Sequence, residues 1–134
     1  MLDESVGQEL SDSELHELYT LGYTLYLSEA YDQSEAIFQK ITSLKPIMRP
    51  YWQGYASSLQ MQKKYQEALL PWSMCVLIEE ENPMPHYYAA ECFLSLGENE
   101  EAFKALTACE NRDKESRFKE KISALRLAWE VPGG

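Results

Sequence analysis

No lysine or arginine occurs before Lys40, although nine Asp and Glu do. Across all 134 residues, 12 basic side chains face 22 acidic ones, a net charge of −10. Nucleic acid is excluded as an expected partner, because phosphate binding needs clustered Lys and Arg. An anionic membrane surface is disfavoured for the same reason. No apolar run approaches the length of about 18 residues that would suggest a membrane span. The N-terminus lacks a basic start followed by an apolar core, so no secretory leader is expected. The three cysteines, Cys75, Cys92 and Cys109, are an odd number spaced 17 residues apart. Zinc sites bring pairs of ligands closer together than that, so buried, reduced thiols in a cytoplasmic protein are expected instead. His16 and His86 stand alone, without a partner at metal-ligand spacing. No phosphate loop, nucleophile elbow or metal motif occurs. Neither an enzyme, nor a cofactor, nor a metal is expected.

What is present is apolar and aromatic. Hydrophobic residues make up 45% and charged residues 25% of the chain, a globular composition. The length suits one domain with one core. Nine tyrosines are more than such a core needs, so some are expected at a binding surface. The positive charge is concentrated late, with six basic residues between Arg112 and Arg126.

An internal repeat decides the fold. At a step of 34 residues, Gly22 meets Ala56 and then Ala90, and Ser34 meets Ala68 and then Ala102. Phe38 meets Trp72 and then Leu106, Ile41 meets Cys75 and then Cys109, and Tyr31 meets Tyr65 and then Asn99. Small residues fall on small and bulky apolar ones on bulky apolar ones, with no gap. Paired helices explain the choice. Where two helices cross closely, one must carry a small side chain, and large residues then fill the space between neighbouring hairpins. This period is that of the tetratricopeptide repeat, so the expected fold is all-α: three helical hairpins stacked as a short right-handed solenoid, plus a C-terminal closing helix.

Local signals place the helices. Ser11-Asp12-Ser13-Glu14 reads as a capping box. The first helix is expected to run to about Leu27, with Leu15, Leu18, Leu21, Gly22 and Leu25 as its core stripe. The second spans about Asp32 to Leu44 and stops before Pro46. Pro50 and Pro85 suit first turns, opening helices to about Met61 and Leu96. Their partners span about Gln66 to Ile78 and Glu100 to Cys109. Pro71 falls within the former, where a kink or accommodation near the first turn is expected. A last helix, about Lys114 to Glu130, carries Phe118, Ile122, Leu125 and Trp129 on one stripe and closes the array. The expected organisation is a flexible segment 1–10, a repeat domain 11–130 (repeats about 15–48, 49–82 and 83–112, closing helix about 114–130), and a tail 131–134.

Three stretches resemble a subfamily. They are Leu18-Tyr19-Thr20-Leu21-Gly22-Tyr23-Thr24-Leu25-Tyr26, then Tyr51-Trp52-Gln53-Gly54-Tyr55, and above all His86-Tyr87-Tyr88-Ala89-Ala90-Glu91-Cys92-Phe93-Leu94. They resemble the class II chaperones of bacterial type III secretion, the SycD/LcrH type, over about Ser11 to Glu110. The resemblance implies a cytoplasmic bacterial chaperone that keeps hydrophobic translocator proteins soluble and separate before export. It implies clients that offer an extended Pro-x-Leu-x-x-Pro-like segment to a concave groove. Ser34 departs from the family's alanine. Family members also carry a longer N-terminal helical segment that takes part in dimer contacts, so a homodimer rests on less chain here.

The first helix of each hairpin lines the concave face in this fold. Tyr19, Tyr23 and Tyr26 share one side of the first helix. Their rings offer apolar contact and their hydroxyls can bond a peptide backbone. Gln53, Ser57 and Gln60 take the corresponding places in the second repeat. Met84, Tyr87, Glu91 and Leu94 share a face in the third, with Tyr87 and Leu94 as a second apolar pocket. Two other readings remain. One is a generic repeat adaptor gripping a C-terminal carboxylate, for which this face is short of basic residues. The other is a purely structural repeat protein.

Overall fold

The computed structural model describes residues 10–130 of the chain. Segments 1–9 and 131–134, which hold nearly all of the expected flexible leader and the tail, lie outside the described residues. The described residues form seven helices and no strand. They are α1 (Asp12–Leu27), α2 (Tyr31–Leu44), α3 (Arg49–Met61), α4 (Tyr65–Ile78), α5 (Met84–Ser95), α6 (Asn99–Arg112) and α7 (Lys119–Glu130). From α1 to α6 each helix packs against the next, and α1 also touches α3 and α5 touches α7.

The starts and stops have local causes. Ser11 Oγ accepts from the Glu14 amide at 3.0 Å, and Glu14 Oε1 accepts from the Ser11 amide at 2.8 Å, closing the capping box. Pro50 and Pro85 sit in first turns. The three hairpin turns place Glu29, Lys63 and Gly97 at φ 65°, 64° and 79°. These positions are again 34 apart, and only one carries the glycine this conformation favours. Pro71 is fully buried inside α4, beyond its first turn, and the helix continues through it. The last helix starts at Lys119, later than the expected Lys114. Asp113 is the reason: its carboxylate accepts from the amides of Arg117 and Phe118 at 2.9 and 2.8 Å, which holds residues 113–118 as a turn.

Three apolar layers fill the array. Leu15, Phe38, Ile41 and Tyr51 form the first. Ala56, Leu59, Ala68, Trp72, Cys75 and Cys92 form the second. Tyr87, Ala90, Leu106, Cys109 and Ile122 form the third. Glycine is required where Phe38 enters the first layer. A Cβ on Gly22 would lie 2.9 Å from its ring, and one on Gly54 2.3 Å. Ser34 is fully buried and donates to the Gly22 carbonyl at 2.8 Å, so its hydroxyl replaces alanine without an unmet polar group.

One expectation about α1 fails. Leu21 is 44% exposed. The helix is held instead through Leu15 and Gly22, with Leu18, Tyr19 and Tyr23 packing around Phe38 and its neighbours. Leucine spacing alone could not tell which side of α1 receives Phe38. The tyrosines, not Leu21, share that side.

The three cysteines are free and buried. Burial pushes the Cys75 and Cys92 thiols up to about 12 and Cys109 to about 11. Native-state labelling by a bulky thiol reagent is therefore expected to proceed only as fast as the array opens, and fast labelling of folded protein would refute this placement. The sign of the pH effect follows. Thiols of raised folded pKa stabilise the fold fully below about 9, and this contribution is lost as pH rises from there towards 12. Denaturant midpoints should fall across that window.

Candidate peptide groove

α1 lies against α3, a hydrogen bond from Gln60 to Glu91 joins α3 to α5, and α7 takes the next place against α5. Register explains why. Stepping 34 residues from Tyr19 gives Gln53, Tyr87 and Lys121; stepping from Tyr23 gives Ser57, Glu91 and Leu125. The closing helix thus occupies the position of a fourth first helix, and the inner face is four helices wide.

At the α1 end, the three expected tyrosines form one aromatic wall. Tyr23 lies between Tyr19 and Tyr26, with ring centroids at 5.1 and 6.1 Å. All three are half-buried. Their backs are part of the core: Tyr19 and Tyr23 meet Phe38 edge-on at 6.1 and 5.1 Å, and Tyr19 meets Tyr51 at 5.4 Å. The wall is therefore not a free face opposite a leucine stripe. It is anchored through the same rings that it presents. Burial, then the neighbouring Tyr19, pushes the Tyr23 phenol well above its ordinary range, so it stays a neutral hydrogen-bonding group. Burial likewise raises Tyr26, with smaller contributions from Tyr31 and Tyr88.

In the centre, polar groups are committed to each other. Gln60 donates to Glu91 Oε1 at 2.9 Å and accepts from Trp72 Nε1 at 2.9 Å. Gln53 accepts from Arg49, which also pairs with Glu79 at 3.1 Å. These bonds tie α3 to α4 and α5. Gln53, Ser57 and Gln60 are all half-buried, so Gln60 acts first as a brace of the floor. Ser57 keeps its hydroxyl free of hydrogen bonds among the described residues.

At the far end, Tyr87 and Leu94 part company. Leu94 lines a hollow of about 330 Å³ with Gln60, Met61, Tyr65, Glu91 and Leu125. Tyr87 is only 6% exposed, because Phe118, at the end of the turn that leads into α7, lies against it at 5.4 Å. Its phenol is raised by burial and then by Glu91. Met84 packs onto the middle core layer. Tyr88, which the sequence reading passed over, stacks on Trp72 at 5.2 Å and accepts a hydrogen bond from Lys121 at 3.3 Å. Lys121 and Leu125 were also missed; continuing the same step beyond the third repeat would have found both.

A larger hollow of about 680 Å³ lies on the opposite side, between α4 and α6 over α5. Repeat register accounts for it. His86 and Ala89 line it at the places held by Trp52 and Tyr55 one repeat earlier, and Ala105 and Ala108 stand where Pro71 and Met74 do. Smaller residues leave the space. Burial, then Arg112, pushes His86 below its usual range.

No group of three or more His, Cys, Asp or Glu among the described residues could hold a metal ion. No described helix is long and apolar enough to cross a membrane.

Comparisons with known proteins agree with this geometry. The tetratricopeptide-repeat family matches residues 15–39 and 51–69. The low calcium response locus protein H of Yersinia pestis is 29% identical over 131 residues, spanning 92% of this chain and 78% of that protein. A chain of the solved CopN–Scc3 complex is 30% identical with a TM-score of 0.83, covering 88% of this chain and 72% of that one. The Yersinia enterocolitica type III secretion chaperone SycD, solved with a peptide of the translocator YopD, is 27% identical with a TM-score of 0.83, covering 90% of this chain and 95% of that one. With the aromatic inner face and the unbroken 34-residue register, these likenesses show that the chain belongs to the class II chaperones of type III secretion, the SycD/LcrH type of tetratricopeptide-repeat protein.

Proposed function

We propose that this protein holds an extended segment of a hydrophobic type III secretion translocator along its inner face, keeping it soluble and secretion-competent in the bacterial cytoplasm. The carrying observation is the half-buried wall of Tyr19, Tyr23 and Tyr26, rigidly backed by Phe38. Anchored rings lose little freedom on binding, so their apolar faces contribute to affinity rather than to ordering. SycD, with the same fold, is solved holding a translocator peptide. The client-contacting residues in this reading are Tyr19, Tyr23 and Tyr26 at one end, Gln53, Ser57 and Gln60 in the centre, and Met84, Tyr87, Glu91 and Leu94 at the other. Gln60 and Tyr87 contribute mainly by shaping the floor. Catalysis has no part in this activity.

An adaptor that grips a C-terminal carboxylate needs a clamp of several free cations. Arg49 is engaged with Glu79 and Gln53 and is not available for such a clamp. The test is titration with a translocator-derived peptide carrying the Pro-x-Leu-x-x-Pro-like segment, free or amidated at its C-terminus. Saturable binding that survives amidation and is lost on changing the Pro and Leu residues to Ala is expected. Binding that requires the free carboxylate would instead support the adaptor, and no binding would overturn the reading.

A further inference from the structure

The groove is electrically polar along its width. Residues 10–39 carry six acidic and no basic side chains, whereas residues 112–126 carry six basic and three acidic ones. The α1 end is therefore negative and the α7 end positive. One cation of the positive end stands on the inner face. Lys121 Nζ lies 5.7, 5.6 and 5.9 Å from the ring centroids of Tyr87, Tyr88 and Phe118. Three ring faces hold the ammonium in place. It spends one donor on Tyr88 Oη at 3.3 Å. Among the described residues no carboxylate pairs with it, although Arg117 and Arg126 nearby are paired with Glu115 and Glu110. Glu91, a carboxylate of the groove, already accepts from Gln60. Lys121 is exposed, so its remaining donors face solvent or a ligand.

We infer that Lys121 reads an acidic side chain of the bound client segment, fixing which end of that segment lies against α7. The inference rests on the groove reading above and deepens it. An ammonium has three donors, and a carboxylate meets the two that remain. Toward α1 the excess of negative charge makes the groove worse for an acidic residue. Lys121 therefore selects a register as well as a charge. It adds only modestly to affinity, because the pair stays partly in water.

The experiment uses the full chain and fluorescein-labelled, C-terminally amidated peptides. Each holds the Pro-x-Leu-x-x-Pro segment with six flanking residues on either side, and a single Glu or Gln is walked through the flanks. The all-Gln parent peptide is measured first. If it fails to bind the wild type, the groove reading itself falls, and this inference with it. If it binds, one register should favour Glu over Gln by about fivefold at low salt. That preference should shrink at high salt. It should vanish in Lys121→Met, reverse in Lys121→Glu and persist in Lys121→Arg, each read as the Glu-to-Gln ratio within one variant. Thermal unfolding of each variant guards against loss of fold, and the charge-retaining Arg variant separates charge from packing. Equal binding of Glu and Gln peptides at every register would overturn the proposal, as would a Glu preference that survives Lys121→Met.

Discussion

Phe38→Ala is expected to lower folding stability by about 3–5 kcal/mol, the range for a buried ring truncated to a methyl group. Phe38 is fully buried and is the point on which α1, α2 and α3 converge. Its ring lies where Cβ atoms on Gly22 and Gly54 would stand, at 2.9 and 2.3 Å. Gly54→Ala should therefore also destabilise, although alanine is the better helix former by about 1 kcal/mol. Overpacking against a ring held on all sides costs about 1–3 kcal/mol and outweighs that gain. The decisive measurement is a double-mutant cycle by urea unfolding. A smaller residue at position 38 removes the clash, so Gly54→Ala should cost much less in a Phe38→Leu background. Additive losses would mean that the glycine serves some purpose other than admitting the ring.

That contact also shows what the sequence reveals and what it hides. The 34-residue step aligns Gly22, Ala56 and Ala90, and aligns Phe38, Trp72 and Leu106, because one packing geometry recurs in each layer. All-α architecture and hairpin order follow from it. Two things do not follow. Apolar spacing places Leu15, Leu18, Leu21 and Leu25 on α1, but the direction from which α2 approaches decides which are buried, and Leu21 is left 44% exposed. Likewise, Tyr87 reads as a pocket residue until Phe118, in the turn before α7, covers it. Both placements depend on tertiary neighbours that periodicity within one helix does not encode. The opposite case is Lys121. Its place was legible from the same step that found the hairpins, because the closing helix keeps the register of the repeats: Gly22, Ala56 and Ala90 continue to Ala124.

Tyr23→Ala should weaken client binding by about 2 kcal/mol or more if the ring is a hot spot, which is roughly thirtyfold in Kd. The ring stands in the middle of the aromatic wall, within 5.1 Å of both Tyr19 and Phe38. Because of that second contact the change should also destabilise the fold, by about 0.5–1.5 kcal/mol for each aromatic pair lost. Affinity measured on this variant alone would therefore mix two effects. Tyr23→Phe separates them. It keeps the ring contacts and removes only the hydroxyl, so stability should change little, and the affinity lost reports the hydrogen bond offered to the client. Leu21→Ala is the matched control on the same helix. An exposed leucine outside the wall should shift stability by no more than about 0.5 kcal/mol and leave affinity unchanged. Each variant is titrated with the translocator-derived peptide and unfolded thermally in parallel. A Tyr23→Ala protein that binds as tightly as wild type would remove the tyrosine wall from the site. A Leu21→Ala protein that loses several kcal/mol would instead show that α1 presents its other face to Phe38, and the wall would have to be placed anew.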